Sequence, residues 1–174
     1  MKELILGGVR SGKSRLAEQH ALASGLAVTY VATASAADDE MGERISEHQR
    51  RRPPLWTLVE EPLALARVLR EQAAPDRCLL VDCLTLWLTN LLCASDTAAF
   101  ATQRRAFIEL LPQLPGHIIL VSNETGMGVV PLGALSRRFC DEAGWLHQDI
   151  AQLSDRVILT VAGLPHFLKG KPSA

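Results

Sequence analysis

The sequence predicts an α/β fold in which a mostly parallel β-sheet is flanked by helices. Three observations carry this reading. Short apolar runs alternate with longer stretches of helical periodicity, and those runs are continuous rather than alternating. The first run also leads straight into a glycine-rich loop that opens a helix. Continuous apolar runs suit strands buried on both faces, because crossover helices cover both sides of a parallel sheet.

Taken in order, the core strands fall at residues 4–6, 28–32, 78–81, 118–121 and 157–161, with a weaker edge strand at 56–59. Helices are expected at 13–23, 38–52, 62–72, 84–93, 97–111 and 134–153, the last broken at Gly144. Pro53-Pro54 ends the second helix, since a proline disfavours helical geometry in the residue before it. No internal repeat or low-complexity segment interrupts the pattern. The tail after Gly163 is short and is not expected to be a loose linker.

The bulk numbers narrow the function classes. A chain of 174 residues fits one compact α/β domain, and 48% hydrophobic against 21% charged residues supplies a real core. A net charge of -1 gives no general attraction to nucleic acid or acidic membranes, so any polyanion must be gripped locally. Cys78, Cys83, Cys93 and Cys140 form no C-x-x-C pair, which argues against a zinc knuckle or a redox dithiol. The first three sit among leucines and valines and read as small buried hydrophobes. The first apolar run is too short for a signal peptide, and no run is long enough to span a bilayer; the expected location is cytoplasmic.

Gly7-Gly8-Val9-Arg10-Ser11-Gly12-Lys13-Ser14 fits G-x-x-x-x-G-K-[ST] at every fixed position, after a strand and before a helix. Glycines let the backbone wrap closely around phosphate oxygens, so that N–H groups and a helix N-terminus face negative charge. Lys13 reaches the β- and γ-phosphates, and the Ser14 hydroxyl ligates Mg²⁺. The loop therefore predicts binding of a nucleoside triphosphate, without saying what is transferred.

Two further elements admit two readings each. Asp82 ends an apolar strand, where it either helps hold the metal beside the phosphate loop or caps the following helix. His48 follows Met41 and Ile45 on one face of the 38–52 segment and precedes Gln49, Arg50, Arg51 and Arg52. Composition favours a surface histidine beside a solvated charge run. The alternative is a nucleophile that attacks an α-phosphate while the arginines stabilise charge on its oxygens. His20, His117, His147 and His166 read as structural or surface residues.

Across most of its length the chain resembles the bifunctional adenosylcobinamide kinase / adenosylcobinamide-phosphate guanylyltransferase family of cobalamin biosynthesis. The resemblance rests on the phosphate loop with Arg15, on Tyr30-Val31-Ala32-Thr33-Ala34, and on Asp38-Asp39-Glu40-Met41 with Arg44-Ile45 and His48. It continues through Trp56 and Glu60, Asp82-Cys83-Leu84-Thr85 and Thr89-Asn90-Leu91. The most discriminating stretch is Asn123-Glu124-Thr125-Gly126-Met127-Gly128-Val129-Val130-Pro131, and the match closes with Phe139, Asp141, Gly144, Gln148 and Ala162-Gly163-Leu164-Pro165.

That resemblance implies a RecA-like P-loop NTPase fold, one domain over 1–174 and assembly as a homotrimer. It implies two reactions: phosphorylation of adenosylcobinamide from ATP or GTP, then transfer of GMP from GTP through a guanylyl-histidine to adenosylcobinamide phosphate. By position the histidine is His48. Implied nucleotide contacts are the phosphate loop, Ala32, Thr33, Ala34, Gln49, Arg50, Arg51, Arg52, Glu60 and Asp82, with Mg²⁺ at Ser14 and Asp82. His147 departs from the pattern, since many relatives are expected to carry asparagine there. Another small-molecule P-loop kinase would need only the loop and a carboxylate, and would leave residues 123–131 without an account. A GTPase switch would bring an Asn-Lys-x-Asp guanine reader, which is absent. A nucleotide-binding module without catalysis would hold its nucleotide without turnover.

Overall fold

The computed structural model describes residues 1–34, 53–94 and 97–172. The expected helix over 38–52, with His48, Gln49, Arg50, Arg51 and Arg52, lies outside the described residues.

The described elements are β1 (Lys2–Gly7), α1 (Lys13–Ala23), β2 (Ala27–Ala32), β3 (Thr57–Glu60), α2 (Leu65–Gln72) and β4 (Arg77–Asp82). They continue with α3 (Leu84–Cys93), α4 (Thr97–Leu110), a 3-10 turn (Leu111–Gln113), β5 (His117–Asn123), α5 (Ala134–Leu153), β6 (Arg156–Val161) and β7 (Leu164–Lys169). The strands form one sheet in the order β3-β2-β4-β5-β1-β6-β7. Every neighbouring pair is parallel except β6–β7.

Strand alternation sorts the apolar runs onto two faces. Leu4, Leu6, Leu79, Val81, Ile118 and Leu120 pack with Trp87, Phe107, Leu146 and Ile150 of the helices on one side. Ile5, Tyr30, Leu80, Ile119, Val121 and Ile158 face the other way, against Ala17 and Ala21 of α1. Both sets are buried, which is why the strands read as unbroken apolar runs. Trp87 anchors the larger cluster: its ring lies 5.2 Å from that of Phe107, and its indole N–H donates to the Leu63 carbonyl at 2.8 Å.

The structure differs from the sequence expectation at four places. The helix at 134–153 runs through Gly144 without a break; one glycine in a long helix costs about 1 kcal/mol, and buried Ala143 and Leu146 on either side supply packing. Helix α2 starts at Leu65 rather than 62, because the Glu61 carboxylate accepts from the Leu63 and Ala64 N–H groups (3.0 and 2.8 Å). Cys93 is exposed, whereas Cys78 and Cys83 are buried as expected. Residues 164–169 form an antiparallel edge strand in place of a tail, since Ala162-Gly163 makes a tight turn with φ 51° and 81°.

At the N-terminal edge of the sheet, Glu3 is fully buried. Its carboxylate is 3.0 Å from Arg156 Nη1, 3.0 Å from His20 Nδ1 and 3.6 Å from His117 Nε2. Burial alone would raise its pKa, but the neighbouring His117 and His20 imidazoles and the charge of Arg156 outweigh it and hold the value at about 2. The unfolded chain therefore takes up the proton first on acidification. The stability contributed by Glu3 is complete above the ordinary value of 4.5 and is lost as pH falls towards about 2. Glu3→Gln should cost about 2 kcal/mol or more at neutral pH, read as a lower urea midpoint, and should flatten the loss of stability in that acid window.

Candidate active site

The register of the parallel ladder gathers the candidate residues on one edge. Gly7 aligns with Asn123 on β5 and with Thr160 on β6; Ala32 aligns with Asp82 on β4 and with Glu60 on β3. Strands running in one direction must present their C-terminal ends together, and ligands of open α/β sheets bind there.

The phosphate loop connects β1 to α1. Gly12 adopts φ 94°, a left-handed conformation that side chains disfavour. A Cβ on Gly7 would lie 2.3 Å from Ser11 Oγ and 2.7 Å from the Thr160 carbonyl. The β6–β7 turn braces the loop from outside, as Gly163 N–H donates to the Ser11 carbonyl at 2.8 Å. No side chain caps α1, which leaves the N–H groups of its first turn for an anion. Lys13 Nζ donates to the Gly8 carbonyl at 3.2 Å. Burial lowers the Lys13 pKa, while the nearby Asp82 carboxylate opposes the shift. The ammonium is thus held at the loop with one carboxylate close by.

Asp82 does not cap α3: the capping position is Cys83, without a side-chain cap bond. Its carboxylate instead accepts from the Tyr30 hydroxyl at 3.0 Å. Thr33 is buried, and its hydroxyl fastens across the sheet edge to Cys83, the residue after Asp82. It donates to the Cys83 carbonyl (2.7 Å) and accepts from the Cys83 N–H (2.9 Å). Asn90 Nδ2 donates to the Thr33 carbonyl at 2.8 Å. The Thr33 side chain is therefore committed to the scaffold, and what the 32–34 turn offers a ligand falls to its backbone, Ala32 and Ala34. Glu60 stands exposed at the end of the edge strand.

Between the phosphate loop and Asp82 lies the end of β5. Glu124 N–H donates to the Gly7 carbonyl at 3.0 Å, and Gly126 N–H donates to Glu124 Oε1 at 2.6 Å. Asn123 N–H donates to Thr85 Oγ1 at 2.7 Å. Ser122 Oγ lies 3.1 Å from Thr85 Oγ1 and 2.8 Å from His147 Nε2. Sequence reasoning assigned no role to Tyr30, Thr85 or Ser122 and read His147 as a structural or surface residue. For the first three the available signal was their nearness in sequence to Ala32, Asp82 and Asn123.

The oxygen donors suit a small hard cation. Among the described residues no cluster of three His, Cys, Asp or Glu side chains could cage a metal. A site made of Ser14, Asp82 and the oxygens of a bound triphosphate is the sparse kind that Mg²⁺ accepts.

A family model described as cobinamide kinase / cobinamide phosphate guanyltransferase matches residues 3–168. The chain belongs to this family. It is an enzyme of a lineage that joins a kinase and a guanyltransferase activity. It is 66% identical over 172 residues to the bifunctional adenosylcobalamin biosynthesis protein CobP of Pseudomonas aeruginosa, covering 99% of each chain. With the bifunctional adenosylcobalamin biosynthesis protein CobU of Salmonella typhimurium it shares 38% identity over 177 residues, 94% of this chain and 97% of that one. The RadB recombinase overlays with a TM-score of 0.50 at 17% identity, covering 91% of this chain and 73% of that chain. A Pyrococcus horikoshii protein gives 0.54 at 7% identity, over 98% and 87%. These structural likenesses show the fold alone, and it is the RecA-like P-loop fold of the family expectation.

Proposed function

We propose that the chain, as one domain over 1–174, catalyses both steps of its family on a corrinoid substrate. The terminal hydroxyl of adenosylcobinamide attacks the γ-phosphorus of ATP or GTP, the bond to the β-phosphate oxygen breaks, and the diphosphate leaves. An imidazole nitrogen of His48 then attacks the α-phosphorus of GTP and pyrophosphate departs, leaving a guanylyl-histidine. A phosphate oxygen of adenosylcobinamide phosphate displaces His48 and yields adenosylcobinamide-GDP. The observation that carries this reading is the family match over residues 3–168.

In this reading the phosphate loop cradles the triphosphate and Lys13 draws charge from its β- and γ-oxygens. Ser14 and Asp82 hold Mg²⁺, which when bound neutralises phosphate charge. Residues 32–34, Gln49, Arg50, Arg51, Arg52 and Glu60 complete the nucleotide contacts. A homotrimer would account for the exposed apolar run of Met127, Val129, Val130 and Leu132. Cytoplasmic residence is supported by four free cysteines, which suit a reducing compartment. Among the described residues no helix is long and apolar enough to cross a membrane.

The deciding experiment incubates the protein with Mg²⁺ and GTP labelled at the α-phosphate, then denatures it. Label retained on the protein, lost in acid and stable in base, marks a phosphoramidate. Binding of GTP with no retained label would leave a plain P-loop kinase. Asp82→Asn should lower Mg²⁺-dependent turnover by about 100-fold, the scale of one lost electrostatic group at a reacting phosphate. The thermal midpoint should stay unchanged, because Tyr30 can still donate to the amide oxygen. Unchanged kinetics would reduce Asp82 to a partner of Tyr30.

A further inference from the structure

A polar chain runs from α5 through the end of β5 to the start of α3, outside the phosphate loop and outside the residues implied to react. Its links are Asn123 N–H to Thr85 Oγ1 (2.7 Å), Thr85 to Ser122 (3.1 Å), Ser122 to His147 Nε2 (2.8 Å) and His147 Nδ1 to Glu124 Oε2 (3.7 Å). Each hydroxyl carries one proton and two acceptor lone pairs, so Thr85 Oγ1 and Ser122 Oγ can each serve both neighbours in the chain. Nδ1 of His147 faces the Glu124 carboxylate. Burial lowers the His147 pKa and favours the neutral ring, with the Glu124 charge opposing. The order Ser–His–Glu is that of a hydrolase triad. Ser122, however, is 1% exposed and engaged on both sides, so it is not placed to attack a substrate.

We propose that His147 is a positioning residue for the nucleotide chemistry, acting through Ser122 and Thr85 to fix Asn123 and Glu124 between the phosphate loop and Asp82. Strand β5 lies between β1 and β4, and its end is tied to Gly7 by the Glu124 N–H at 3.0 Å. Asn123 Oδ1 is buried there with no hydrogen-bond partner among the described residues, an acceptor held beside the loop. The inference rests on the proposed nucleotide chemistry of this site.

The test compares wild type, His147→Ala, His147→Gln, Ser122→Ala and the double alanine variant, with GTP as the probe for binding and turnover. Each single alanine variant should lower kcat about tenfold, the effect of one lost buried hydrogen bond, with KM for GTP within about twofold. The double variant should be no worse than either single, since both break one chain. The Gln amide can accept from Ser122 or donate to it in place of Nε2, so His147→Gln should recover activity to within about threefold of wild type. Wild-type kcat in His147→Ala, a loss confined to KM, or no rescue by Gln in folded protein would overturn the assignment. Should His147→Ala fail to fold, Ser122→Ala and His147→Gln decide between these outcomes. A wild type without turnover would remove the proposed function and this inference with it. A wild type that turns over beside an unimpaired His147→Ala would remove the inference alone.

Discussion

Lys13→Ala should abolish both phosphoryl and guanylyl transfer, with losses on the order of 10³-fold or more in kcat/KM. Both steps begin with a nucleoside triphosphate at this loop, and both need its phosphates held in line for attack. Lys13 is the cation of the phosphate loop, resting 3.2 Å from the Gly8 carbonyl and close enough to Asp82 to feel its charge. Burial already disfavours its charged form, so the arriving phosphates meet a partly desolvated ammonium. Removing it should leave the fold intact, because a half-buried ammonium with a single backbone acceptor contributes little to stability. The comparison is of both activities against the thermal midpoint. Loss of activity in step with loss of folded protein would make Lys13 structural, and survival of either reaction would show that the two steps do not share the loop.

His48→Ala should separate the two activities. Guanylyl transfer should fall by about 10⁴-fold or more, the scale on which enzymes lose a covalent nucleophile. Phosphorylation of the corrinoid hydroxyl should stay within a few-fold of wild type, since its parts are the phosphate loop, Lys13 and Asp82 and include no imidazole. Retained α-label and phosphorylated product, measured on the same preparation, read the two steps independently. Equal loss of both would sink the division of labour and would turn His48 into a residue that shapes the shared nucleotide site.

Much of this protein is legible in local sequence because the responsible physics is local. The phosphate loop needs glycines at Gly7 and Gly12 for reasons of its own backbone: a φ of 94° at Gly12, and no room for a Cβ at Gly7. Apolar runs at β1, β4 and β5 announce strands because each must be buried on both faces. Asp82 is readable as a carboxylate ending such a strand. The segment 123–131 identifies the family by residue identity and needs no geometry.

What depends on strand order was not legible. Gly144 reads as a breaker, yet helix α5 passes through it because tertiary packing outweighs a cost of about 1 kcal/mol. Thr33 reads as a nucleotide contact, and only the adjacency of β2 and β4 shows its hydroxyl spent on Cys83, 50 residues away. The same holds for Ser122 with His147, 25 residues apart, and for Glu3 with Arg156, 153 apart. The sequence by itself determined the phosphate grip, the strand and helix alternation and the family. The tertiary structure alone decided which polar side chains meet at the C-terminal edge and which are consumed in holding it. Backbone conformation is chosen among near neighbours in the chain, whereas a buried hydrogen bond takes whatever partner the sheet order brings within 3 Å.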